Sequence, residues 1–353
     1  MHSILVDLYK IKNRHSGLGE FSYRFHQYLQ QQATEDLEFT FLTPRKDGVK
    51  PQPGFKYRHV SLQKRYVPSW SATYDLWHSL QQFPSHKPNG KTPWLLTVHD
   101  LNFLSEKNQS KAQGYLKQLQ KNVNRAQYLS TISHYTAEQM AKHLDLKGKK
   151  PVIIPNGVYL EEYPDTGVPP YVSGSPYFFS IGIFSAKKNF KVLLPLLNYF
   201  PDHKLVLAGN HETSYGREIV AAIRDWKLEE RVILPGRVDN REKYALYKNC
   251  RAFLFPSLAE GFGLPVIEAM MAGAPVFLST EASLPEVGGK LAYYWPELTP
   301  EAMAGVLEKN LAEFESNTLQ HRKNLQQYAA RFSWSSCIND YCTLYRNILK
   351  QEA

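Results

Sequence analysis

Short apolar runs alternate with stretches of helical periodicity along the chain. After an opening run at Ile4–Val6, strands are predicted in the first half at Phe39–Leu42, Tyr57–Val60, Trp94–Val98, Tyr128–Ile132 and Val152–Ile154. Helices are predicted after the Ser16–Gly19 turn and at Ala112–Val123 and Thr136–His143. Strands that alternate with helices are typical of a parallel sheet covered on both faces. Residues 44–70 fit this pattern poorly and are predicted to be irregular.

The alternation restarts after residues 161–176, which are rich in proline and glycine and are predicted to link two domains. Strands are then predicted at Tyr177–Ile181, Lys204–Ala208, Val232–Leu234, Ala252–Phe255 and Pro275–Leu278. Helices are predicted at Asn189–Leu197, Gly216–Trp226, Arg241–Lys248, Pro265–Met271 and Pro300–Glu313. The 353 residues are therefore predicted to form two doubly wound, Rossmann-like α/β domains, 1–165 and 172–334, followed by a helix in 335–353. We expect the ligand in a central cleft, at the carboxyl ends of the strands.

Composition excludes several classes of protein. The chain is 43% hydrophobic and 21% charged, as folded globular proteins are, and no apolar run reaches the roughly 20 residues that cross a bilayer. The first residues lack the pattern of a signal peptide. The three cysteines, Cys250, Cys337 and Cys342, predict neither a disulfide framework nor a zinc site. These features favour a cytoplasmic protein.

Almost all of the net charge of +9 lies in the first half, where residues 1–170 carry 22 Lys and Arg against 14 Asp and Glu. A basic domain favours an anionic partner, such as a phosphate-bearing substrate, an anionic membrane or a nucleic acid. No nucleic-acid-binding motif supports the last of these. A basic and aromatic group suits a membrane interface or a glycan. Its members are Lys56, Tyr57, Arg58, Lys64, Arg65, Tyr66, Trp70 and Trp77.

The segment from Phe255 to Pro275 carries the strongest chemical signal. A predicted strand ends at Phe255, a glycine-containing loop follows, and Pro265 stands where a helix would begin. Loop glycines and a helix N-terminus favour a bound phosphate. Glu260 and Glu268 bracket this anion site. Because a carboxylate repels a phosphate, we expect both to accept hydrogen bonds from sugar hydroxyl groups instead.

This Glu-x7-Glu segment resembles the signature of the retaining glycosyltransferases of family 4, which have the GT-B architecture. The resemblance covers most of residues 1–20 and 94–345. It implies that Glu268 binds the nucleotide ribose and that Glu260 binds the donor sugar. It also implies that the loop backbone faces the sugar and the diphosphate, through Gly261, Phe262, Gly263 and Leu264.

Residues 180–190 resemble the loop that holds the donor diphosphate in that family. Lys188 falls on the family's lysine, Lys187 would supply a second charge, and Ile183 stands where the family often has arginine. Ser185 is a candidate cap for the helix that follows. The resemblance also implies that the backbone of residues 236–238 lies against the nucleotide base, through Gly236, Arg237 and Val238.

Residues of the first half resemble further parts of the family pattern. Gly17 and Gly19 resemble its N-terminal glycine loop, which lies across the cleft from the donor phosphates, although Glu20 stands where a basic residue is frequent. His99 and Asp100 follow a predicted strand and resemble the histidine and neighbouring acid near the donor sugar. Ser133 would cap a helix. The last helix resembles the segment that crosses back onto the first domain.

The resemblance implies a retaining hexosyltransferase. It would move a hexose, with a slight preference for mannose, from a GDP- or UDP-sugar to a glycan or lipid-linked acceptor in cell-surface polysaccharide synthesis. Its catalytic residues would be His99, Asp100, Lys188 and Glu260. Lys188 and the helix dipole would offset charge on the leaving diphosphate, and we favour a reaction in which this phosphate takes the acceptor proton. A covalent double displacement stays open as the other mechanism. We expect no metal and no cofactor, because no Asp-x-Asp pair is present.

Two alternatives stay open. The first is a non-catalytic GT-B subunit that binds a partner, since Ile183 and Glu20 replace basic residues of the family pattern. The second is a nucleotide-sugar epimerase of the same fold. For the transferase we expect a cytoplasmic location with peripheral contact at the inner face of the cell membrane.

Overall fold

The computed structural model describes residues 1–13, 16–32, 35–44, 49, 51–60, 74–164 and 166–352. The chain divides into two compact units. Unit 1 comprises Met1–Gly157 and Trp334–Ala353, and unit 2 comprises Val158–Ser333. The sequence places the first boundary later, at 165 to 172, because the proline-rich stretch carries no periodicity. That stretch contains one short 3₁₀ turn, Pro170–Val172, and belongs to unit 2.

Unit 1 is built on seven parallel strands. These are β1 (His2–Asp7), β2 (Leu37–Pro44), β3 (Lys56–Val60), β4 (Leu76–Ser79), β5 (Trp94–Val98), β6 (Tyr128–Thr131) and β7 (Val152–Ile153). They lie in the order β3-β2-β1-β4-β5-β6-β7. The order in which strands are added to the sheet changes direction at β1, which pairs with β2 on one side and with β4 on the other. Crevices at such a switch point are where doubly wound sheets bind ligands.

Among the described residues, four helices connect these strands, after a 3₁₀ turn at Tyr9–Lys12. They are α1 (Gly17–Leu29), α2 (Phe103–Glu106), α3 (Gln109–Arg125) and α4 (His134–His143). Ser133 caps α4 as predicted, since its hydroxyl accepts the Thr136 amide at 3.1 Å. Gly17 and Gly19 do not form a loop but stand in the first turn of α1, which Ser16 caps. Gly19 is required there because a Cβ would lie 1.8 Å from the Asn13 carbonyl oxygen.

Unit 2 is built on six parallel strands. These are β8 (Tyr177–Ile181), β9 (Lys204–Ala208), β10 (Val232–Gly236), β11 (Ala252–Phe255), β12 (Val276–Ser279) and β13 (Tyr293–Trp295). They lie in the order β10-β9-β8-β11-β12-β13, so the switch point falls at β8. The helices are α5 (Ser214–Asp225), α6 (Asn240–Asn249), α7 (Leu264–Met271), α8 (Leu284–Gly288), α9 (Pro300–Ser316) and α10 (Thr318–Ala329). Two parallel sheets with helices confirm the predicted α/β class.

One predicted helix of unit 2 has a different geometry. The predicted helix at Asn189–Leu197 is a 3₁₀ segment, Phe190–Asn198, preceded by Asn189 in the left-handed conformation. Pro195 lies inside this segment and lacks the amide hydrogen that an α-helix needs. Its apolar residues are nevertheless buried, among them Phe190 and Leu197. The segment therefore covers the sheet as the predicted helix would.

The chain ends in α11 (Trp334–Glu352), which is part of unit 1. One face of α11 packs into the core of that unit, and the Tyr345 hydroxyl lies 2.7 Å from His78 Nδ1 on β4. Tyr341 packs edge-on against Phe25 of α1, with ring centroids 5.2 Å apart. Unit 1 is therefore completed by a segment that follows unit 2 in the sequence.

The basic and aromatic group is only partly described. Lys64, Arg65, Tyr66 and Trp70 lie outside the described residues. Trp77 does not suit an interface, because it is 2% exposed and its indole N–H lies 3.3 Å from the Ser79 hydroxyl in the core. Lys56 is exposed and pairs with Glu38 at 2.7 Å. In the described part of the chain, no helix is both long enough and apolar enough to span a membrane.

Two glycines in helix interiors give a prediction about stability. Gly114 in α3 and Gly305 in α9 are exposed, and a Cβ at either position would meet no heavy atom within 4 Å. We expect Gly114→Ala and Gly305→Ala each to raise the free energy of unfolding by ~0.5–1 kcal/mol, because alanine loses less backbone entropy on folding. Denaturant unfolding of each variant measures the change. A loss of stability would contradict the helical geometry at that position.

Candidate functional site

The carboxyl edge of the unit 2 sheet is formed by glycine backbone. Gly182 follows β8, Gly209 follows β9, and Gly236 ends β10. The amide of Gly209 donates to the Gly236 carbonyl at 2.7 Å, and a Cβ on Gly209 would lie 1.9 Å from the Gly182 carbonyl oxygen. Gly209 also has φ +129°, which side-chain-bearing residues avoid. A ligand at this edge can therefore approach the main chain closely.

Lys188 reaches across this edge after β8. It stands at the end of a 3₁₀ turn, Ala186–Lys188, and is 9% exposed. Its side chain passes over Gly182, where a Cβ would lie 2.9 Å from Lys188 Cε. The ammonium nitrogen lies 4.5 Å from the centre of the Phe255 ring and 2.6 Å from Glu260 Oε1. Glycine at position 182 thus allows a buried lysine to meet a carboxylate.

The described hydrogen bonds to the Glu260 side chain all reach the same carboxylate oxygen. Its Oε1 accepts hydrogen bonds from Lys188 Nζ and from the Ser257 hydroxyl, both at 2.6 Å. Burial by itself would raise the pKa of Glu260, but the charge of Lys188 and these two hydrogen bonds lower it below its ordinary value. Glu260 is therefore ionised at neutral pH. Within the described part of the chain, Oε2 has no hydrogen bond, so it can accept one from a ligand hydroxyl.

The loop around Glu260 is fixed by its backbone. The Ser283 hydroxyl lies 3.0 Å from the carbonyl oxygen of Glu260 and 2.8 Å from that of Phe262. Phe262 is 5% exposed and packs edge-on against Phe332. Gly263, with φ +109°, then leads into α7, where no side chain caps the first amides. An uncapped helix start of this kind favours an anion.

Glu268 lies on α7 and is also paired. Lys243 Nζ lies 2.7 Å from its Oε1, and the Tyr247 hydroxyl lies 3.0 Å from its Oε2. Both partners belong to α6. The sequence alone does not identify these two partners, since their spacing of four residues is the only signal that it carries.

The remaining donor-side residues are placed as follows. Lys187 is half-buried, and its carbonyl oxygen accepts hydrogen bonds from the Leu258 amide and the Ser257 hydroxyl. Arg237 is exposed and Val238 is half-buried, directly after β10. Ser185 was predicted to cap a helix, and this prediction is wrong. A 3₁₀ turn follows Ser185, and its side chain makes no capping hydrogen bond. Its hydroxyl is buried without a hydrogen-bond partner among the described residues.

The predicted residues of the first half lie in unit 1. His99 follows β5 and is 6% exposed, and its Nε2 donates to the Leu80 carbonyl at 2.8 Å. Burial lowers the pKa of His99 to about 4, so the ring is neutral at physiological pH. Its ring also packs edge-on against Phe21 of α1, the helix that Gly17 and Gly19 begin. Asp100 Oδ1 accepts the Asn102 amide at 3.0 Å, which orders the turn before α2.

The structure therefore brings the predicted residues together in two groups. Lys187, Lys188, Glu260 and the loop to Leu264 form one group at the carboxyl edge of unit 2, with Glu268 on the helix that follows. In unit 1, His99 packs against Phe21 of α1, and Asp100 follows it in the turn before α2. Among the described residues, no three His, Cys, Asp or Glu side chains are grouped so that they could hold a metal ion.

Two family profiles match the chain. One, described as Glycosyltransferase Family 4, matches residues 17–162, and the other, described as Glycosyl transferases group 1, matches residues 168–332. O-antigen chain mannosyltransferase B of Escherichia coli is 25% identical over 287 residues, which cover 74% of this chain and 73% of that protein. Serotype-specific mannosyltransferase WbdA of Escherichia coli is 26% identical over 270 residues. The match covers 70% of this chain and 33% of WbdA.

A solved structure shows the same fold. Anabaena HepE, in complex with UDP and glucose, superposes with a TM-score of 0.73 over 98% of this chain and 100% of that chain. The two sequences are 16% identical, so the likeness concerns the arrangement of the backbone. It agrees with two doubly wound parallel sheets, each with its switch point at the first strand of its unit.

Proposed function

Because this chain belongs to glycosyltransferase family 4 and has the GT-B fold, we propose that it is a retaining hexosyltransferase. Its donor is a GDP- or UDP-hexose, and its acceptor is a glycan or a lipid-linked glycan of a cell-surface polysaccharide. Mannose is the sugar we favour. The support for mannose is the similarity to two mannosyltransferases, one of which acts on the O-antigen chain by its name.

The observation that carries this proposal is the Lys188–Glu260 pair. A buried ammonium group stands beside a glycine-lined strand edge and near an uncapped helix start, which suits a diphosphate. The carboxylate in contact with it keeps one oxygen for a sugar hydroxyl. A phosphate-binding cation and a hydroxyl-binding acceptor 2.6 Å apart match the two ends of the bond between a sugar and its diphosphate.

In the proposed reaction, the bond between the anomeric carbon and the diphosphate oxygen breaks while the acceptor oxygen bonds to the same face of that carbon. The acceptor proton passes to the leaving diphosphate. Lys188, with Lys187, offsets the charge that develops on that group, and a preorganised charge of this kind stabilises the transition state. Glu260 holds the sugar, Glu268 holds the ribose, and the backbone at Gly236–Val238 lies against the base. His99 and Asp100 position the sugar or the acceptor.

Binding and product analysis test the proposal. The wild-type chain is titrated with GDP and UDP, and then incubated with GDP-mannose and UDP-hexoses, with and without EDTA. We expect one nucleotide to bind, slow hydrolysis of its sugar conjugate, and a product whose anomeric configuration by NMR equals that of the donor. EDTA is expected to change nothing. Binding without turnover would favour the non-catalytic subunit, and an epimerised nucleotide sugar would favour the epimerase.

We also propose that unit 1 contacts an anionic membrane surface from the cytoplasmic side. The support is the excess of Lys and Arg over Asp and Glu within residues 1–157, which belong to unit 1. Flotation with vesicles that contain anionic lipid is expected at low salt and is expected to weaken at high salt. Equal flotation with neutral vesicles would contradict an electrostatic contact.

A further inference from the structure

Both oxygens of the Glu268 carboxylate are held by side chains of one helix. Lys243 contacts Oε1 at 2.7 Å and Tyr247 contacts Oε2 at 3.0 Å. The two residues are four positions apart on α6, so they lie on the same face. With one partner on each oxygen, the position and the plane of the carboxylate are both fixed. Glu260 differs, because both of its partners bind the same oxygen.

The two supporting side chains are themselves well fixed. Tyr247 is fully buried, and its ring packs edge-on against both Phe179 and Phe253, with centroids 5.0 Å and 5.2 Å away. Burial raises the pKa of Tyr247 well above its ordinary value, so the hydroxyl keeps its proton and donates it to Glu268. The side chains of Lys243 and Glu268 are 20% and 15% exposed, which limits screening of this ion pair by water.

The occupied positions leave room for a specific ligand. A carboxylate has about four lone-pair sites, and Lys243 and Tyr247 take two of them. The two sites that remain suit the two hydroxyl groups of a ribose ring, which are adjacent donors. A glutamate that is already fixed also loses less side-chain entropy when the ligand binds.

We propose that Lys243 and Tyr247 are positioning residues that hold Glu268 ready for the vicinal hydroxyl groups of the donor's ribose. The inference rests on the proposed function, since it takes Glu268 as the ribose-binding residue. Lys243 acts through Glu268 and not on the diphosphate. Its effect on affinity therefore depends on the presence of the ribose hydroxyl groups, and this dependence can be measured.

The experiment compares two ligands and three proteins. The ligands are UDP or GDP, whichever the wild-type chain binds more tightly, and the 2′,3′-dideoxy form of the same nucleotide. We expect Lys243→Met to raise the Kd of the ribonucleotide roughly 10- to 100-fold, and Tyr247→Phe to raise it roughly 3- to 10-fold. We expect both variants to bind the dideoxynucleotide as the wild-type chain does. A merely structural defect would weaken both ligands alike.

Lys248→Met is the matched control. Lys248 lies on the same helix, but its ammonium group bonds the Pro164 carbonyl at 3.2 Å, so its removal should leave both affinities unchanged. Equal weakening of the two ligands by Lys243→Met would overturn the inference, because Lys243 would then contact the phosphates. Wild-type protein that binds both ligands equally would also overturn it, while leaving the proposed transferase intact. Failure of wild-type protein to bind UDP or GDP would overturn both.

Discussion

Replacement of Lys188 by methionine is expected to lower kcat by roughly 100- to 1,000-fold, which is the usual effect of removing one preorganised charge from a transition state. Methionine keeps most of the length of the lysine side chain but carries no charge, so the contact of the ammonium group with the Phe255 ring is lost as well. The nucleotide can still bind through Glu268, so the Kd of the nucleotide should change less than kcat. The steady-state rate of nucleotide-sugar hydrolysis gives kcat. Titration of the protein with the nucleotide gives the Kd.

The same substitution should also lower stability, because Glu260 would remain buried without its counter-charge. Breaking a buried ion pair by removing one partner costs about 3–5 kcal/mol. The double variant Lys188→Met/Glu260→Gln removes the uncompensated carboxylate and keeps an acceptor for Ser257. We expect it to recover most of the lost stability and none of the lost rate. This comparison separates the structural role of Lys188 from its chemical role.

Lys191→Met is the control for this pair of variants. Lys191 is exposed and lies three residues after Lys188, in the 3₁₀ segment Phe190–Asn198. It should have normal kcat and stability. If Lys188→Met turned over at the wild-type rate, or if the double variant regained activity, Lys188 would not stabilise the leaving diphosphate.

The sequence predicted the fold well for segments that are long enough to show the periodicity of a strand or a helix. The α/β class and most of the strands followed from alternating apolar runs and helical stretches. Strand β4 was missed, because Leu76–Ser79 is only four residues long and is buried on both faces, so it carries no alternation. The short helix α8 was missed for a similar reason, since five residues contain little more than one turn.

The candidate site was predictable to the extent that it lies in local motifs. Lys188 and Glu260 were found separately, each within its loop, but their contact joins residues 72 positions apart and depends on the packing of β8 beside β11. Lys243 and Tyr247 could not be found, because a lysine and a tyrosine on an amphipathic helix look the same whether they face solvent or a carboxylate. His99 was predicted beside the donor sugar, and its burial against Leu80 and Phe21 became visible only with the fold.

Asp7 was not singled out from the sequence, yet it leads to the second large effect. It ends β1 at the switch point of unit 1, is 3% exposed, and accepts the Tyr9 amide on Oδ1 at 2.9 Å. Its Oδ2 has no partner among the described residues. Burial raises the pKa of Asp7 from 3.8 to about 7, against the smaller opposing effects of the Tyr9 amide and Lys10. Unit 1 therefore contains a carboxyl group that must ionise in the core as the pH rises.

Asp7→Asn is expected to stabilise unit 1 at pH 8 and to leave its stability nearly unchanged at pH 4. The folded state holds the Asp7 proton more tightly than the unfolded state, so the wild-type chain loses stability as the pH rises from about 4 to about 7, and none further above that. A shift of about three pKa units corresponds to roughly 4 kcal/mol. Asparagine keeps the acceptor for the Tyr9 amide and cannot ionise, which removes this loss.

Denaturant unfolding of the wild-type chain and of Asp7→Asn at several pH values measures the difference, with Glu138→Gln as a control. Glu138 is exposed on α4 of the same unit, so its replacement removes one carboxylate without changing the core. The stability difference between Asp7→Asn and wild type should grow with pH up to about 7 and then stay constant, and Glu138→Gln should show no such growth. A difference that is equal at pH 4 and pH 8 would mean that Asp7 does not ionise within the folded unit in this range.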